Sequence, residues 1–132
     1  MSLQPAARTD GPILLIEDEP SVIAFLHAAL ERKGYAVVNA ASGAEGLERL
    51  SDGRYAGVIS DIRMPGPVNG AEVHAWIQKN RPDLSTRIIL ISGDTANSDT
   101  QAFLAQCGTP CIEKPFRVQQ LISVVEKTFG KP

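Results

Sequence analysis

Short apolar runs alternate with segments of helical periodicity five times along this chain of 132 residues. The runs are too short for helices and are of the kind that a sheet buries on both faces. They cover residues 13–16, 35–40, 55–60, 87–92 and 111–113. A strand followed by a helix, five times over, predicts an α/β fold: a doubly wound (βα)5 parallel five-stranded sheet with helices on both faces.

The segments between these runs repeat apolar residues at spacings of three and four, which places those residues on one face of a helix. Four of the predicted helices cover residues 21–33, 71–79, 99–106 and 117–129, and a further helix follows Ser42 with Leu47 and Leu50 on its inner face. Ser42 and Glu45 form a capping-box pattern before the second helix. Gly34 and Gly108 stand where the first and fourth helices are expected to end.

Composition fits one globular domain, with 43% hydrophobic and 21% charged residues. We assign residues 12–130 to this domain and interpret residues 1–11 as a disordered segment, tag or linker. The net charge of -2 argues against direct nucleic-acid binding, which needs a basic surface. No apolar run approaches the roughly 20 residues that span a bilayer, and no signal segment opens the chain. The expected location is the cytoplasm, without membrane contact.

Polar residues stand where four of the apolar runs end. Glu17 and Asp18 follow the first run, Asp61 follows the third, Ser92 ends the fourth, and Lys114 follows the fifth. In open parallel sheets, ligands bind outside the carboxyl ends of the strands, where the strand order reverses. These side chains are therefore expected to meet in one crevice.

Three carboxylates and one ammonium in a single crevice leave negative charge uncompensated. Carboxylate and carbonyl oxygens, without thiolate or imidazole, favour a hard cation such as Mg²⁺ or Mn²⁺. Magnesium takes one or two protein carboxylates directly and keeps several waters. Two acids are therefore expected to ligate the metal while the third holds a metal-bound water.

Four motifs in order, ILLIEDEP, SDIRMPG, LIS and EKPF, resemble those of the receiver domain of bacterial response regulators. The resemblance covers residues 13–129. Each motif is weak alone, but the four together, at strand ends and with similar spacing, are highly specific. The resemblance implies a flavodoxin-like sheet with strand order 2-1-3-4-5.

The resemblance also implies a role for each site residue. Asp61 looks like the nucleophile that takes a phosphoryl group from a phosphohistidine, and it is also implied as a metal ligand. Asp18 is implied as a direct ligand of Mg²⁺ (or Mn²⁺), and Glu17 as the acid that holds a metal-bound water. The backbone carbonyl of Arg63 resembles the third protein ligand, so its side chain is expected to matter little there.

Two further residues complete the implied site. Ser92 is similar to the hydroxyl that bonds a phosphoryl oxygen after transfer, and it is expected to gain a partner only when phosphate is present. Lys114 resembles the cation that pairs with the phosphoryl group, and its bond to Pro115 is expected to be cis. One position departs from the family: Cys111 stands where many receivers carry an aromatic switch residue, so phosphorylation is expected to be reported differently.

The implied partner is a histidine kinase or a histidine phosphotransfer protein, and weak homodimerisation stays open. Residues 93–116 resemble receivers at the C-terminus of hybrid sensor histidine kinases, so we expect an excised domain of such a kinase. The isolated domain is expected to catalyse only its own phosphorylation and dephosphorylation. A stand-alone regulator or phosphate sink is the alternative.

Two other classes of protein compete with this interpretation. A haloacid-dehalogenase-like phosphatase also uses an aspartate nucleophile and Mg²⁺, but it needs a second acid two residues later, where this chain has Arg63. A pseudo-receiver that binds protein without phosphate chemistry is disfavoured by the complete acidic set, although Cys111 keeps it open.

The histidines and cysteines receive less specific interpretations. His27 and His74 each stand alone on a predicted helix and are interpreted as surface residues. Cys107 and Cys111 lack a neighbouring metal-ligand pattern and are interpreted as small buried hydrophobic side chains.

Overall fold

The computed structural model describes residues 11–64 and 66–132, so most of the predicted linker, residues 1–10, lies outside the described residues. Strands β1 to β5 are Ile13–Ile16, Val37–Ala40, Gly57–Asp61, Ile88–Ser92 and Cys111–Glu113. Helices α1 to α5 are Pro20–Arg32, Gly43–Leu50, Gly70–Asn80, Ser98–Cys107 and Val118–Phe129, with a 3₁₀ turn at Pro82–Leu84. None of the helices in this described part combines the length and the hydropathy that a membrane span requires.

The five strands form one parallel sheet in the order β2-β1-β3-β4-β5, which confirms the predicted architecture and strand order. The register keeps the carboxyl ends of the strands level. Ile16 pairs with Ser60 at the end of β1, and Ser92 pairs with Glu113 at the end of β4. Residues that follow these ends therefore emerge at a common edge.

The sheet divides the hydrophobic core in two because successive strand residues face opposite sides. Leu15 and Ile59 belong to the cluster that packs against α1 and α5. Leu14 and Val58 belong to the cluster on the other face, which packs against α2, α3 and α4. Burial on both faces explains why these strands are continuously apolar instead of alternating.

Strand β3 lies later in the chain than residues 55–60, where it was predicted, because it starts at Gly57 and ends at Asp61. Tyr55 is buried without belonging to the strand, and its hydroxyl donates to the Arg49 carbonyl. Asp61 is itself a ladder residue that pairs with Ile91. Its backbone is therefore fixed by the sheet and not by the turn that follows.

Helix caps follow the sequence only in part. Ser42 accepts the Glu45 N–H as predicted, but the Glu45 carboxylate accepts from Ala41 instead of Ser42. A full capping box, which was not predicted, forms between Asn69 and Glu72 at the start of α3. This box fixes the helix that begins shortly after Asp61.

Candidate functional site

Glu17 is the most deeply buried acid at the carboxyl edge of the sheet, with only 1% of its surface exposed. Its Oε2 accepts the Glu19 N–H at 3.1 Å. Its Oε1 has no hydrogen-bond partner among the described residues. Burial, together with the nearby charge of Asp61, raises the pKa of Glu17 to about 7. A carboxylate oxygen left without a partner in such a position is costly unless a cation or its water compensates it.

Asp61 is buried at the end of β3, and both of its carboxylate oxygens accept hydrogen bonds. Oδ1 accepts the Arg63 N–H at 3.1 Å. Oδ2 accepts from Lys114 Nζ at 2.7 Å. The carboxylate is thereby held at a fixed position between the turn after β3 and the residue after β5.

Asp18 is the exposed member of the acidic group. Glu17, Asp18 and Asp61 each offer a carboxylate oxygen, and these oxygens all lie within 4.8 Å of one another. Three hard oxygen donors, one of them from an acid whose buried Oε1 has no partner, fit Mg²⁺ or Mn²⁺ better than a soft metal. The sheet thus brings together the acids that the sequence placed at two separate strand ends.

Lys114 supplies the positive charge opposite these acids. Besides Asp61, its Nζ lies 3.5 Å from Glu17 Oε1 and 3.8 Å from Glu19 Oε1. Burial by itself lowers the pKa of Lys114, but the hydrogen bond and charge of Asp61 outweigh it, and the net pKa is raised. The peptide bond between Lys114 and Pro115 is cis, as the resemblance implied.

Ser92 is fully buried at the end of β4. The prediction that its hydroxyl has a hydrogen-bond partner only when phosphate is present is wrong. Its Oγ already accepts the Asp94 N–H at 3.1 Å. Within the described part of the chain, no acceptor is found for its own proton. The hydroxyl therefore retains a donor that a phosphoryl oxygen could use.

The loop after β4 makes two side-chain contacts that were not predicted from the sequence. Arg63 donates through a guanidinium nitrogen to Asp94 Oδ2 at 2.9 Å. Thr95 donates to Glu113 Oε2 at 2.5 Å. Exposed polar residues of loops carry no periodicity. Opposite charges beside neighbouring strand ends were the only signal for the Arg63–Asp94 pair, and the Thr95–Glu113 contact had no such signal. The role of the Arg63 carbonyl as a metal ligand stays a prediction.

Both cysteines are free thiols that are half-buried, whereas burial was predicted. Each packs at the margin of the cluster that faces α2, α3 and α4. Burial, followed by the effect of Cys107, raises the pKa of Cys111 to about 11. The Cys111 thiol is consequently protonated at neutral pH. Its side chain is also much smaller than the aromatic ring that many receivers carry at this position.

His74 contradicts the prediction of a surface histidine, because it is buried between α3 and the segment before β5. Its Nε2 lies 2.8 Å from Thr109 Oγ1, and its ring meets Phe103 edge to face. Burial lowers the pKa of His74. The sequence could not show this because α4, which covers the ring, is distant along the chain. His27 is partly exposed, 3.9 Å from Glu31.

Comparison with known proteins gives consistent matches. The family model for the response regulator receiver domain matches residues 13–126. The response regulator receiver protein CpdR of Brucella abortus is 33% identical over 87% of this chain and 93% of its own length. The sensor kinase CckA of Brucella abortus is 32% identical over 90% of this chain but only 12% of its own length.

A solved structure agrees with the fold. The response regulator protein TrrA of Thermotoga maritima, in complex with Mg²⁺-BeF, is 32% identical with a TM-score of 0.77, and the match covers 90% of this chain and 99% of that one. Transcriptional regulatory proteins match too, and the chain spans 48% of YkoG from Bacillus subtilis and 43% of TcrA from Mycobacterium tuberculosis. With the family model covering residues 13–126 and the sheet order that the motifs implied, the chain belongs to the response regulator receiver domain family.

Proposed function

We propose that Asp61 accepts a phosphoryl group from a phosphohistidine of a histidine kinase or histidine phosphotransfer protein. The observation that supports this most directly is the position of its carboxylate. Asp61 lies 2.7 Å from the Lys114 ammonium and within 4.8 Å of oxygens from two further acids. A nucleophile between an amine and a cation site suits a reaction that moves a highly charged group.

The metal site in this proposal is Mg²⁺ or Mn²⁺ held by Asp18, Asp61 and the Arg63 carbonyl, with Glu17 acting through a water. The unpartnered Oε1 of Glu17 supports this assignment. When bound, the ion neutralises charge on the phosphoryl oxygens and on the acids around it.

The residues of the chain supply the rest of the chemistry. A bond forms between an Asp61 carboxylate oxygen and phosphorus as the bond from phosphorus to the donor imidazole nitrogen breaks, and the electron pair returns to the imidazole. Lys114 then moves its hydrogen bond from the Asp61 carboxylate to the phosphoryl group, as a point charge that needs no fixed orientation. The Ser92 hydroxyl donates a hydrogen bond to a phosphoryl oxygen and keeps its proton.

In this proposal the domain acts in the cytoplasm, either as part of a larger protein or as a separate one. Residues 93–116 favour a hybrid histidine kinase, in line with the match to the CckA sensor kinase. The alternative is a stand-alone regulator or phosphate sink, in line with the match to CpdR over nearly its whole length. Reading the coding sequence in frame on both sides of this segment distinguishes the two.

The test is incubation with acetyl phosphate or phosphoramidate and Mg²⁺, followed by intact-protein mass spectrometry. We expect the gain of one phosphoryl group that is stable in mild acid and lost in base. Asp61→Asn should abolish the gain, whereas Asp52→Asn, an exposed acid after α2, should not. No gain in the wild type would favour a pseudo-receiver, and multiple turnover of simple phosphoesters would favour a phosphatase.

A further inference from the structure

The loop after β4 is attached to the turn after β3 by an ion pair between Arg63 and Asp94. The guanidinium and carboxylate lie 2.9 Å apart. Both residues are close in sequence to site residues, since Arg63 follows Asp61 by two positions and Asp94 follows Ser92 by two. The pair therefore connects the segment that carries the nucleophile to the segment that carries the serine hydroxyl.

The backbone of Asp94 also contacts Ser92 directly. The Asp94 N–H donates to Ser92 Oγ, while the Asp94 carboxylate is held by Arg63. A second attachment on the other side of the loop joins Thr95 to Glu113 at the end of β5. The hydroxyl of Ser92 is thus hydrogen-bonded to a loop that is itself fixed at both flanks.

We infer that the Arg63–Asp94 ion pair stabilises the resting arrangement of Ser92, and that it is weakened when Asp61 carries a phosphoryl group. This inference rests on the proposed function of Asp61 and Ser92. In the arrangement that we infer for the phosphorylated domain, Ser92 Oγ turns toward a phosphoryl oxygen and gives up the Asp94 N–H that it accepts at rest. Any contact that fixes Asp94 therefore favours the resting arrangement and opposes the phosphoryl-bound one.

The size of the effect follows from the exposure of the pair. The Arg63 and Asp94 side chains are 60% and 46% exposed, and ion pairs of this kind change equilibria by roughly two- to fivefold. Removal of the pair should increase affinity for a phosphoryl mimic by about that factor, because the mimic binds the arrangement that the pair opposes.

The expected change in affinity for the Arg63→Gln variant has the opposite sign to the change that loss of its charge alone would cause. If only charge mattered, loss of the Arg63 cation would weaken the binding of an anion, and loss of the Asp94 anion would strengthen it. If the pair holds Ser92 at rest, Arg63→Gln and Asp94→Asn both strengthen binding. The increase from Arg63→Gln should disappear in the Asp94→Asn background, because the partner is already absent.

The experiment measures beryllofluoride binding in the presence of Mg²⁺ by ¹⁹F NMR for the wild type, both single variants, the double variant and the charge exchange Arg63→Asp with Asp94→Arg. The exchanged pair should restore wild-type affinity. Arg49→Gln is the matched control, since Arg49 pairs with Glu45 at 3.3 Å on the surface of α2. It should leave binding unchanged. Circular dichroism and melting temperature establish that each variant is folded.

The outcomes separate this inference from the proposed function. Wild-type protein that binds no beryllofluoride and gains no phosphoryl group overturns the proposed function. Wild-type binding together with weaker binding by Arg63→Gln, or with additive effects in the double variant, overturns the role of the ion pair alone. Stronger binding by both single variants, with no further gain in the double variant, supports it.

Discussion

Lys114 directs its ammonium to Asp61 Oδ2 at 2.7 Å, although Oε1 of the more deeply buried Glu17 lies only 3.5 Å from the same nitrogen. Asp61 Oδ2 thus accepts a hydrogen bond from Lys114, whereas Glu17 Oε1 has no hydrogen-bond partner among the described residues. The lysine therefore neutralises the proposed nucleophile and leaves Glu17 to a different cation. The contacts of Asp61 should therefore be visible in the rate of phosphorylation, and those of Glu17 in the pH dependence of stability and Mg²⁺ affinity.

Lys114→Gln should slow phosphoryl gain by about tenfold or more while Mg²⁺ binding becomes tighter. A hydrogen bond to a charged group contributes roughly 1.5–3 kcal/mol, and its loss disfavours the transferring group. Removal of a positive charge beside three carboxylates favours a divalent cation. Intact mass and calorimetric titration with Mg²⁺ measure the two effects. Lys127→Gln, on the exposed side of α5, is the control, and a parallel loss of both properties would contradict the assignment.

Glu17 should make the metal-free protein less stable as the pH rises, whereas most carboxylates in folded proteins make it more stable. Its pKa is about 7 when folded against 4.5 ordinarily, so folding favours the protonated form. The stabilisation is fully present below pH 4.5 and is lost as the pH rises through about 7. Glu17→Gln should therefore raise the melting temperature at about pH 8 and leave it unchanged at about pH 4. A lower melting temperature at the higher pH would refute this.

The same proton should compete with the metal. Mg²⁺ affinity of the wild type is expected to fall as the pH drops below about 7, because protonation of Glu17 removes one of the negative charges that favour the cation and its bound water. Calorimetric titration across this range measures the change. In Glu17→Gln, affinity should be weak and nearly independent of pH over the same interval.

Gly70 lies so close to the end of β3 that no side chain fits there. A Cβ at this position would lie 2.3 Å from the Asp61 carbonyl oxygen and 2.6 Å from Ile62 Cα. Gly70→Ala should destabilise the domain by about 1–3 kcal/mol and slow phosphorylation by displacing Asp61. Gly93→Ala is the matched control, because its Cβ would meet Lys114 side-chain atoms at an ordinary 3.7 Å. Urea unfolding compares them, and equal stabilities would exclude the predicted clash.

Thr109→Val should destabilise the domain by about 1–3 kcal/mol, since it leaves a buried His74 nitrogen without its partner at 2.8 Å. Burial lowers the pKa of His74 from 6.5, so its contribution to stability is present above pH 6.5 and is lost as the pH falls through the lower folded value. Urea unfolding at two pH values measures both effects. Thr128→Val, near the end of α5, should cost much less, and equal costs would argue against a specific role for the pair.

The sequence predicted the sheet and the meeting of its strand ends because both depend on local signals. Continuous apolar runs specify buried parallel strands, and a charged residue directly after such a run must emerge at the carboxyl edge. The burial of His74 and the contact of Ser92 with Asp94 could not be predicted in this way. The burial of His74 depends on a helix that is distant along the chain. The Ser92–Asp94 contact depends on the conformation of the loop directly after β4, and polar loop residues such as Arg63 carry no pattern that identifies a partner.

A main-chain hydrogen bond runs from the Lys114 N–H to the Ser92 carbonyl at 2.7 Å. The two side chains that would contact one phosphoryl group therefore stand on backbones that are tied to each other. Neither backbone can shift alone, so adaptation to the new group is left to rotation of side chains and to the segments beyond the ladder. The backbone at this edge of the sheet is then expected to keep its position on phosphorylation. The distance between the Ser92 and Lys114 α-carbons should stay the same with and without phosphate.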